Sequence, residues 1–173
     1  RKNDPEAELI AIEPLHDLSE ICQSKGIQVV PSIVEKVSNL QSKANLVVCF
    51  EVIEHAHDPF LFVKAIKEMV APGGLAVFTG LVVDGFDIQV LWDKSKSIFP
   101  PLHINFMSVS GFHRLFQRAG FAGVEVVTPG KLDVDIVLNH DDCPNFLKTF
   151  SDRGDDAIKE LQAVFSKYNF IMT

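Results

Sequence analysis

The sequence is poor in cysteine and in positive charge, and it contains no long apolar run. Its 173 residues include three cysteines, and none of them belongs to a C-x-x-C pair. This odd, scattered set argues against a disulfide framework or a cysteine zinc site and favours a reduced, cytoplasmic protein. No apolar stretch has the length of a membrane span, and no signal-peptide pattern opens the chain, so we expect no membrane partner.

The shortage of basic residues limits the classes of partner. There are 16 Lys and Arg against 23 Asp and Glu, which gives a net charge of −7. Binding to a phosphate backbone requires clustered positive charge, so this balance argues against a nucleic acid as the main partner. With 47% hydrophobic residues the chain has the composition of a globular domain, and we expect a small-molecule ligand.

Strand and helix patterns alternate along the chain, which predicts an α/β fold with a parallel sheet covered by helices on both faces. The continuous apolar character of residues 44–50 predicts a strand buried on both faces. We expect residues 1–173 to form a single domain, with a largely helical C-terminal extension at 128–173. The predicted strands are residues 9–12, 27–30, 44–50, 75–79 and 124–127, with a weaker strand pattern at 132–137.

Several helices carry start signals. Ser32 and Glu35 form a capping-box pattern, and Asp58-Pro59 combines an acceptor side chain with a preset backbone angle. Ser108 or Ser110 is the expected cap of a later helix, and residues 157–168 carry a clear helical stripe. The first helix is predicted to pack through Leu15, Leu18, Ile21 and Cys22. Residues 80–107 have no persistent period, and long irregular connections of this kind are usually functional loops.

Ionisable residues follow two of the predicted strands. Glu13 ends the first strand, and Glu51-Val52-Ile53-Glu54-His55 follows the third. In doubly wound sheets, ligands bind at the carboxyl ends of the strands. A carboxylate at the first position can accept hydrogen bonds from both ribose hydroxyls of an adenosine cofactor, although a solvated carboxylate at a helix start is the alternative. The two strand ends together are the candidate ligand site.

The motif after the third strand resembles the E-V-I-E-H motif of class I S-adenosylmethionine-dependent methyltransferases. The residues on either side of the motif also resemble the family. Asp58-Pro59 and then Pro72-Gly73-Gly74 follow it, and Glu13 resembles the acidic motif at the end of the family's second strand. Further on, residues 103–106 and Gly120-Phe121 are similar to the loop and the Gly-Phe pair before a later strand of the family. The resemblance covers roughly residues 9–127.

The resemblance implies a Rossmann-like fold and S-adenosylmethionine as cofactor. It implies cofactor-binding roles for Glu13 at the ribose, Ser32 and Ile33 at the adenine, and Phe50, Glu51, Val52 and His55 around the methionine half. His55 and His103 are the candidate catalytic residues, because imidazole titrates near neutrality and can act as a general base; a role in lining the pocket or in hydrogen bonding within the loop is the alternative. Residues 86–103 would cover the pocket of a small-molecule acceptor, whose O or N nucleophile belongs to a sugar or a related metabolite.

The sequence departs from the family at its start. The family carries a first strand, a glycine-rich loop and a helix before the acidic strand, whereas this sequence begins at Arg1, a few residues before that strand. We therefore expect an incomplete fold without the first strand and the following helix. The parent protein is expected to be the enzyme, and this piece alone is expected to be inactive.

Three alternatives remain open from the sequence. Glu51, Glu54, His55 and His103 resemble the two-Glu, two-His magnesium site of small-RNA 2′-O-methyltransferases and the E-x-x-E-H site of ubiquinone-pathway O-methyltransferases. Many relatives with the motif use no metal, so a site without metal is the first expectation; imidazole ligands would also suit manganese or zinc.

The second alternative is a cofactor-free domain in a homo-oligomer that completes its sheet from another chain. The third is a nicotinamide-dependent oxidoreductase, against which the only tyrosine, Tyr168, lacks a lysine four residues later.

Overall fold

The computed structural model describes residues 6–129 and 133–168. Four strands and seven α-helices occur in these ranges. The strands are β1 (Ile10–Ile12), β2 (Gln28–Val30), β3 (Ala44–Phe50) and β4 (Val70–Thr79). The helices are α1 (His16–Ser24), α2 (Pro59–Met69), α3 (Phe86–Leu91), α4 (Val109–Arg118), α5 (Asp133–Leu138), α6 (Asn145–Ser151) and α7 (Asp155–Lys167).

The strands form two parallel pairs. β1 pairs with β2, with Ala11 opposite Val29, and β3 pairs with β4. In the second pair Ala44 lies opposite Val70 but Leu46 lies opposite Leu75, so the intervening residues 71–74 bulge out of the ladder. Gly74 permits this close passage, since a Cβ atom there would lie 2.9 Å from the carbonyl oxygen of Ala44. Parallel pairs joined through helices agree with the predicted α/β class.

Helix α2 begins where the sequence predicts. The Asp58 carboxylate accepts hydrogen bonds from the backbone N–H groups of Phe60 and Leu61, each 2.9 Å long, and Pro59 occupies the first helical position. These contacts satisfy two of the amides that a helix start leaves without partners. The start signal is therefore confirmed. Ser108 caps α4 in the same way by accepting from the Gly111 N–H at 3.0 Å.

Replacing Asp58 by alanine is expected to lower the free energy of unfolding by about 1 kcal/mol, because both amides lose their acceptor. Denaturant unfolding of the variant measures this loss. Lys64→Ala, at an exposed position of the same helix, is the control, and its effect should stay within about 0.5 kcal/mol. A similar loss in both variants would mean that the cap contributes nothing particular to stability.

The main core lies between one face of the β3–β4 pair and the helices α2 and α4. Val47 and Cys49 of β3 and Ala76 and Phe78 of β4 face this core. Its buried members are Ile53, Ala56, Phe62, Val63, Ile66, Val82, Phe112, Leu115 and Ala119. This core fixes the position of the chain that leaves β3, where the candidate site lies.

The opposite face of the same pair is exposed, which corrects the prediction that residues 44–50 are buried on both faces. Leu46, Val48 and Phe50 are 58%, 55% and 56% exposed, and Leu75 is 67% exposed. The predicted apolar stripe of α1 is also exposed: Leu15, Leu18 and Ile21 all lie at the surface. The face of the β3–β4 pair and the stripe of α1 are exposed for the same reason: no element within the described ranges packs over these side chains.

Four local predictions are wrong. Residues 34–36 form a single 3-10 turn without a side-chain cap, and the Ser32 hydroxyl instead donates to the carbonyl oxygen of Ile33. Residues 124–127 are not a strand, and α5 occupies part of the segment for which the sequence predicts a strand at 132–137. Helix α3 lies inside residues 80–107, where the sequence indicates no regular structure.

The C-terminal helices pack against α3 and form a second cluster. Leu91 of α3 and Val137, Cys143 and Leu147 are buried together. The rings of Phe86 and Phe165 stack with centroids 4.3 Å apart, which joins α3 to α7. The segment after residue 132 therefore holds α3 and the chain that follows it. None of the helices in the described part of the chain has both the length and the apolar character that crossing a membrane requires.

Candidate active site

The acidic residue predicted to bind a ribose lies at the carboxyl end of β1. The Glu13 N–H donates to the carbonyl of Val30 at 3.1 Å, which continues the pairing with β2 by one residue. The side chain is half-buried, and its Oε1 accepts a 2.8 Å hydrogen bond from the Leu15 N–H. The Glu13 carboxylate is therefore held at the start of α1, at the edge of the β1–β2 pair where a ligand of a parallel sheet would bind.

The other predicted cofactor residues lie at the carboxyl ends of β2 and β3. Ser32 and Ile33 follow β2, and Ile33 is 44% exposed. Phe50 is the last residue of β3, and Val52, two residues on, is 40% exposed. Each apolar side chain is thus left partly uncovered at a strand end, as a surface that contacts a ligand requires.

Glu51 turns the chain away from β3. Its backbone lies in the left-handed region with φ 52°, and its N–H donates to the carbonyl and hydroxyl oxygens of Thr79 at 3.1 and 3.2 Å. A non-glycine residue rarely adopts such a conformation, and such strain is concentrated at functional sites. The chain then forms a 3-10 turn over Ile53–His55, in which Ile53 lies in the core.

Hydrogen bonds join the turn at residues 53–56 to a second segment, residues 102–105. The Glu54 carbonyl accepts from the N–H groups of Ile104 and Asn105, at 2.9 and 3.1 Å. The Asn105 side-chain amide donates to the carbonyls of Ile53 and Ala56, at 3.3 and 2.5 Å. These bonds bring together residues that lie about fifty positions apart in the sequence.

Replacing Asn105 by alanine is expected to lower the free energy of unfolding by about 1–3 kcal/mol, because two half-buried carbonyls lose their donor. Thermal unfolding followed by circular dichroism measures the change. Asn39→Ala removes the same amide from an exposed position and should leave the midpoint close to that of the wild type. An Asn105 variant as stable as the Asn39 variant would show that the side chain does not join the two segments.

The two candidate catalytic histidines are neighbours in this arrangement. The ring centroids of His55 and His103 lie 4.9 Å apart, with the rings inclined at 52°. The Nδ1 atom of His55 lies 2.8 Å from the carbonyl oxygen of Leu102, and that of His103 lies 2.6 Å from the carbonyl of Ser97. A carbonyl can only accept, so Nδ1 carries the proton in both rings. In the neutral imidazoles, Nε2 is then the nitrogen with a free lone pair.

Glu54 lies beside these rings and is 2% exposed. Its Oε2 atom is buried without a hydrogen-bond partner. Burial raises the pKa of the Glu54 carboxyl, and the negative charge of Glu51 raises it further, whereas His55 and His103 lower the pKa. Burial beside Glu54 also raises the pKa of the Cys49 thiol to about 11, so Cys49 remains a protonated core residue.

Potential ligand atoms of Glu54, His55 and His103 all lie within 4.8 Å of one another. The structure therefore brings together three of the four residues of the predicted metal alternative. Glu51 lies outside this group.

Two features of the site were not predicted from the sequence. The buried Asp87 accepts hydrogen bonds from the hydroxyls of Ser95, at 2.8 Å, and Ser97, at 3.4 Å, so it fixes the segment whose Ser97 carbonyl orients His103. No local signal identifies this contact. The second feature is Gly80, where a Cβ atom would lie 2.8 Å from Ile53 Cγ2 and 3.4 Å from Glu54 Oε2. A glycine directly after an apolar strand is the signal for such a close approach.

With this geometry described, the comparisons with known proteins identify the family. The family model described as a methyltransferase domain matches residues 3–126, which is most of the chain. The chain belongs to this methyltransferase family. It is a class I domain, and S-adenosylmethionine is the cofactor of the family, so the predicted family, Rossmann-like fold and cofactor are confirmed.

Individual proteins give the same picture. The tRNA U34 carboxymethyltransferase of Campylobacter lari is 28% identical over 103 residues, which are 59% of this chain and 35% of that protein. A solved S-adenosylmethionine-dependent methyltransferase from Thermotoga maritima is 19% identical with a TM-score of 0.58, and the match covers 66% of this chain and 55% of that one. One from Mesorhizobium loti is 12% identical with a TM-score of 0.57, covering 90% and 76%. The chain thus spans about a third to a half of the length of the first two proteins.

Proposed function

We propose that the whole protein containing this chain transfers the methyl group of S-adenosylmethionine to an oxygen or nitrogen nucleophile of a small molecule. The observation that carries this proposal is the pair of imidazoles, His55 and His103, held at the end of β3 with Nε2 free. Membership of the methyltransferase family supports the reaction class. The substrate and the roles of the residues are inferred from the chemistry of the site.

The residues present suit the cofactor. The Glu13 carboxylate would accept hydrogen bonds from the ribose hydroxyls, with Ser32 and Ile33 beside the adenine. Phe50, Glu51, Val52 and His55 would line the methionine half. The fit rests on the partly exposed apolar side chains at these strand ends, 44% for Ile33 and 56% for Phe50, since a bound adenosyl group would remove their apolar surface from water.

When bound, S-adenosylmethionine supplies an electrophilic methyl group on a positively charged sulfur. A free Nε2 of His55 or His103 would take the proton of the acceptor O–H or N–H as the new bond to carbon forms. Transfer of the methyl group would leave the electron pair of the S–CH₃ bond on sulfur, with S-adenosylhomocysteine as the product. Alignment of the acceptor contributes most of the rate in such a displacement, and the hydrogen bonds between residues 53–56 and 102–105 hold both histidines in place.

The acceptor that we favour is a sugar or a related hydroxylated metabolite. The segment 86–103 would cover it, and two aromatic side chains there, Trp92 at 62% and Phe99 at 55%, are exposed. Exposed aromatic rings can pack against the apolar face of a sugar ring while its hydroxyls remain solvated. The net charge of −7 favours a small acceptor over a nucleic acid, although the relative from Campylobacter lari is named for a tRNA.

The test is the release of S-adenosylhomocysteine from S-adenosylmethionine by the whole protein, measured with separate pools of sugars, small amines and transfer RNA. We expect release with a small-molecule pool and none above background with transfer RNA. Release with transfer RNA alone would overturn the acceptor class and leave methyl transfer standing. If the protein bound no cofactor at all, a cofactor-free domain completed by another chain would be the better description.

A further inference from the structure

We propose that the buried Asp87 is a positioning residue for acceptor recognition, because it holds Trp92 in a strained backbone conformation with the indole ring exposed to a ligand. Asp87 lies in α3, and Trp92 begins the turn that follows this helix. The inference rests on the proposed function only in taking the ligand of the ring to be the methyl acceptor. The conformation itself is a property of the fold.

Trp92 combines an unusual backbone with an exposed side chain. Its φ is 50° and its ψ is −122°, a region where bulky residues are rare and glycine is the usual residue. It is the single tryptophan of the chain, and it is 62% exposed. A conformation of this kind is costly and persists only where the surrounding structure imposes it, most often at ligand clamps and switch regions. An exposed indole gives the core little packing in return, so its role is better explained by a ligand.

The chain is held in the interior on both sides of Trp92. Leu91, directly before it, is 4% exposed and packs with buried residues of the C-terminal helices. Ser95, three residues after it, is 2% exposed, and its N–H donates to the Trp92 carbonyl at 2.9 Å. Trp92 and the next two residues must therefore connect two buried anchors in one tight turn, and this constraint accounts for the strained angles.

The anchor at Ser95 depends on Asp87. Asp87 is 1% exposed, and its Oδ2 atom accepts from the hydroxyls of Ser95, at 2.8 Å, and Ser97, at 3.4 Å. The Ser95 hydroxyl also accepts from the Ser97 N–H at 3.1 Å. The other carboxylate oxygen, Oδ1, is buried without a hydrogen-bond partner in the described structure. Burial of such an oxygen lowers stability, which is expected of a group retained for the geometry that it imposes.

A second contact to the same turn lies at the surface. Lys94 Nζ is 2.8 Å from Asp142 Oδ1, and about half of each side chain is exposed. Exposed ion pairs contribute little because water and salt screen them. Loss of one partner of a buried hydrogen bond, in contrast, leaves the other partner uncompensated. The conformation of Trp92 should therefore depend on Asp87 and much less on Lys94.

The exposed ring indicates the kind of ligand. An indole face packs against a flat apolar surface, and the C–H face of a pyranose ring offers such a surface, whereas an open-chain polyol does not. The turn is also joined to the candidate catalytic residues, since the Ser97 carbonyl lies 2.6 Å from His103 Nδ1. A sugar ring packed on Trp92 would thus be bound by the same short segment that orients His103.

The first test compares glycine and alanine at position 92 by thermal unfolding of the whole protein. With Asp87 present, Trp92→Gly should unfold at a midpoint about 2–4 °C above that of Trp92→Ala, because glycine adopts a positive φ without strain. In an Asp87→Ala or Ser95→Ala background this difference should vanish or reverse, because the strained angles are no longer imposed. A difference of the same size in all backgrounds would mean that Asp87 only stabilises the fold, and it would overturn the proposal, as would no difference with Asp87 present.

The second test measures binding of methyl β-D-galactopyranoside by saturation-transfer difference NMR, with D-sorbitol as the open-chain comparison and without S-adenosylmethionine. We expect signals from the pyranoside with the wild type, and a loss to background in Trp92→Ala and Asp87→Ala. Asp87→Asn should restore binding, since its amide oxygen can still accept from Ser95. Lys94→Ala in the same turn and Phe146→Ala, an aromatic position 76% exposed on α6, are the controls and should bind as the wild type does.

Ser95→Ala is a further variant, because it removes the shorter of the two hydrogen bonds while Asp87 remains. It too should lose the pyranoside signals. The proposal is overturned if the wild type binds no pyranoside or binds sorbitol equally, if Ser95→Ala binds as the wild type does, or if either control loses binding as Asp87→Ala does. Since no cofactor is present, failure here leaves the proposed methyl transfer untouched, and failure of methyl transfer leaves this result standing.

Discussion

Replacing Glu13 by glutamine is expected to weaken the binding of S-adenosylhomocysteine by about 10- to 100-fold. This expectation rests on the proposed ribose contact. One carboxylate oxygen, Oε1, already accepts from the Leu15 N–H, so a glutamine would keep its carbonyl oxygen there and turn its NH₂ group toward the ribose. The charge-assisted hydrogen bonding to the ribose is lost, which costs about 1.5–3 kcal/mol of binding free energy in all. Calorimetric titration of the whole protein measures the change.

The matched control for this prediction is Glu20→Gln. Glu20 is an exposed acid on α1, so its replacement removes the same charge without touching the strand end. Its affinity for S-adenosylhomocysteine should equal that of the wild type. Equal affinities in all three proteins would remove Glu13 from the site, and an equal loss in both variants would assign the effect to net charge.

Replacing Ile66 by alanine is expected to lower the free energy of unfolding by about 2–5 kcal/mol. Ile66 is 3% exposed and belongs to the core between α2 and the β3–β4 pair. The substitution removes apolar contacts and leaves a cavity, because closely packed neighbours relax only in part. Chemical denaturation of the whole protein gives the difference.

Leu61→Ala provides the comparison for Ile66→Ala. Leu61 is on the same helix but is 51% exposed, so its truncation should change stability much less. If Leu61→Ala proved as destabilising as Ile66→Ala, then the face of α2 that packs on the sheet would be assigned incorrectly. A loss near zero for Ile66→Ala would contradict the described core.

The elements that the sequence predicts well are those specified by short-range signals. Strand β3 lies at residues 44–50 as predicted, because an uninterrupted apolar run between polar segments leaves few alternatives. The start of α2 follows from Asp58-Pro59, where the capping group and the fixed proline angle act within one turn. In these cases local chemistry is sufficient.

The elements that it predicts poorly depend on distant partners. An apolar strand is buried on both faces only if other parts of the chain cover both, and Val48 and Leu75 show that the second face is exposed. The alternating pattern at 132–137 suits a strand equally well, yet residues from Asp133 on form a helix. There Val134 and Val137 are buried, three residues apart as on one face of a helix.

The residues of the candidate site also fall into two groups, those whose position the sequence predicts and those whose position depends on tertiary contacts. The strand-end position of Glu13 and of the E-V-I-E-H motif follows from the sequence, because parallel strands present their carboxyl ends at one edge. The proximity of His103 to His55 was expected only through the family resemblance. The bonds that create it, from Asn105 to Ile53 and Ala56, are tertiary contacts with no local signal. The same holds for the orientation of Nδ1 in both rings.

The central claim is that these strand ends form the binding site of a methyltransferase cofactor. The most direct measurement is calorimetric titration of the whole wild-type protein with S-adenosylhomocysteine, with NAD⁺ as the competing dinucleotide. We expect saturable binding of one S-adenosylhomocysteine per protein and no heat from NAD⁺. Absence of saturable binding of S-adenosylhomocysteine, or binding of NAD⁺ in its place, would contradict the account.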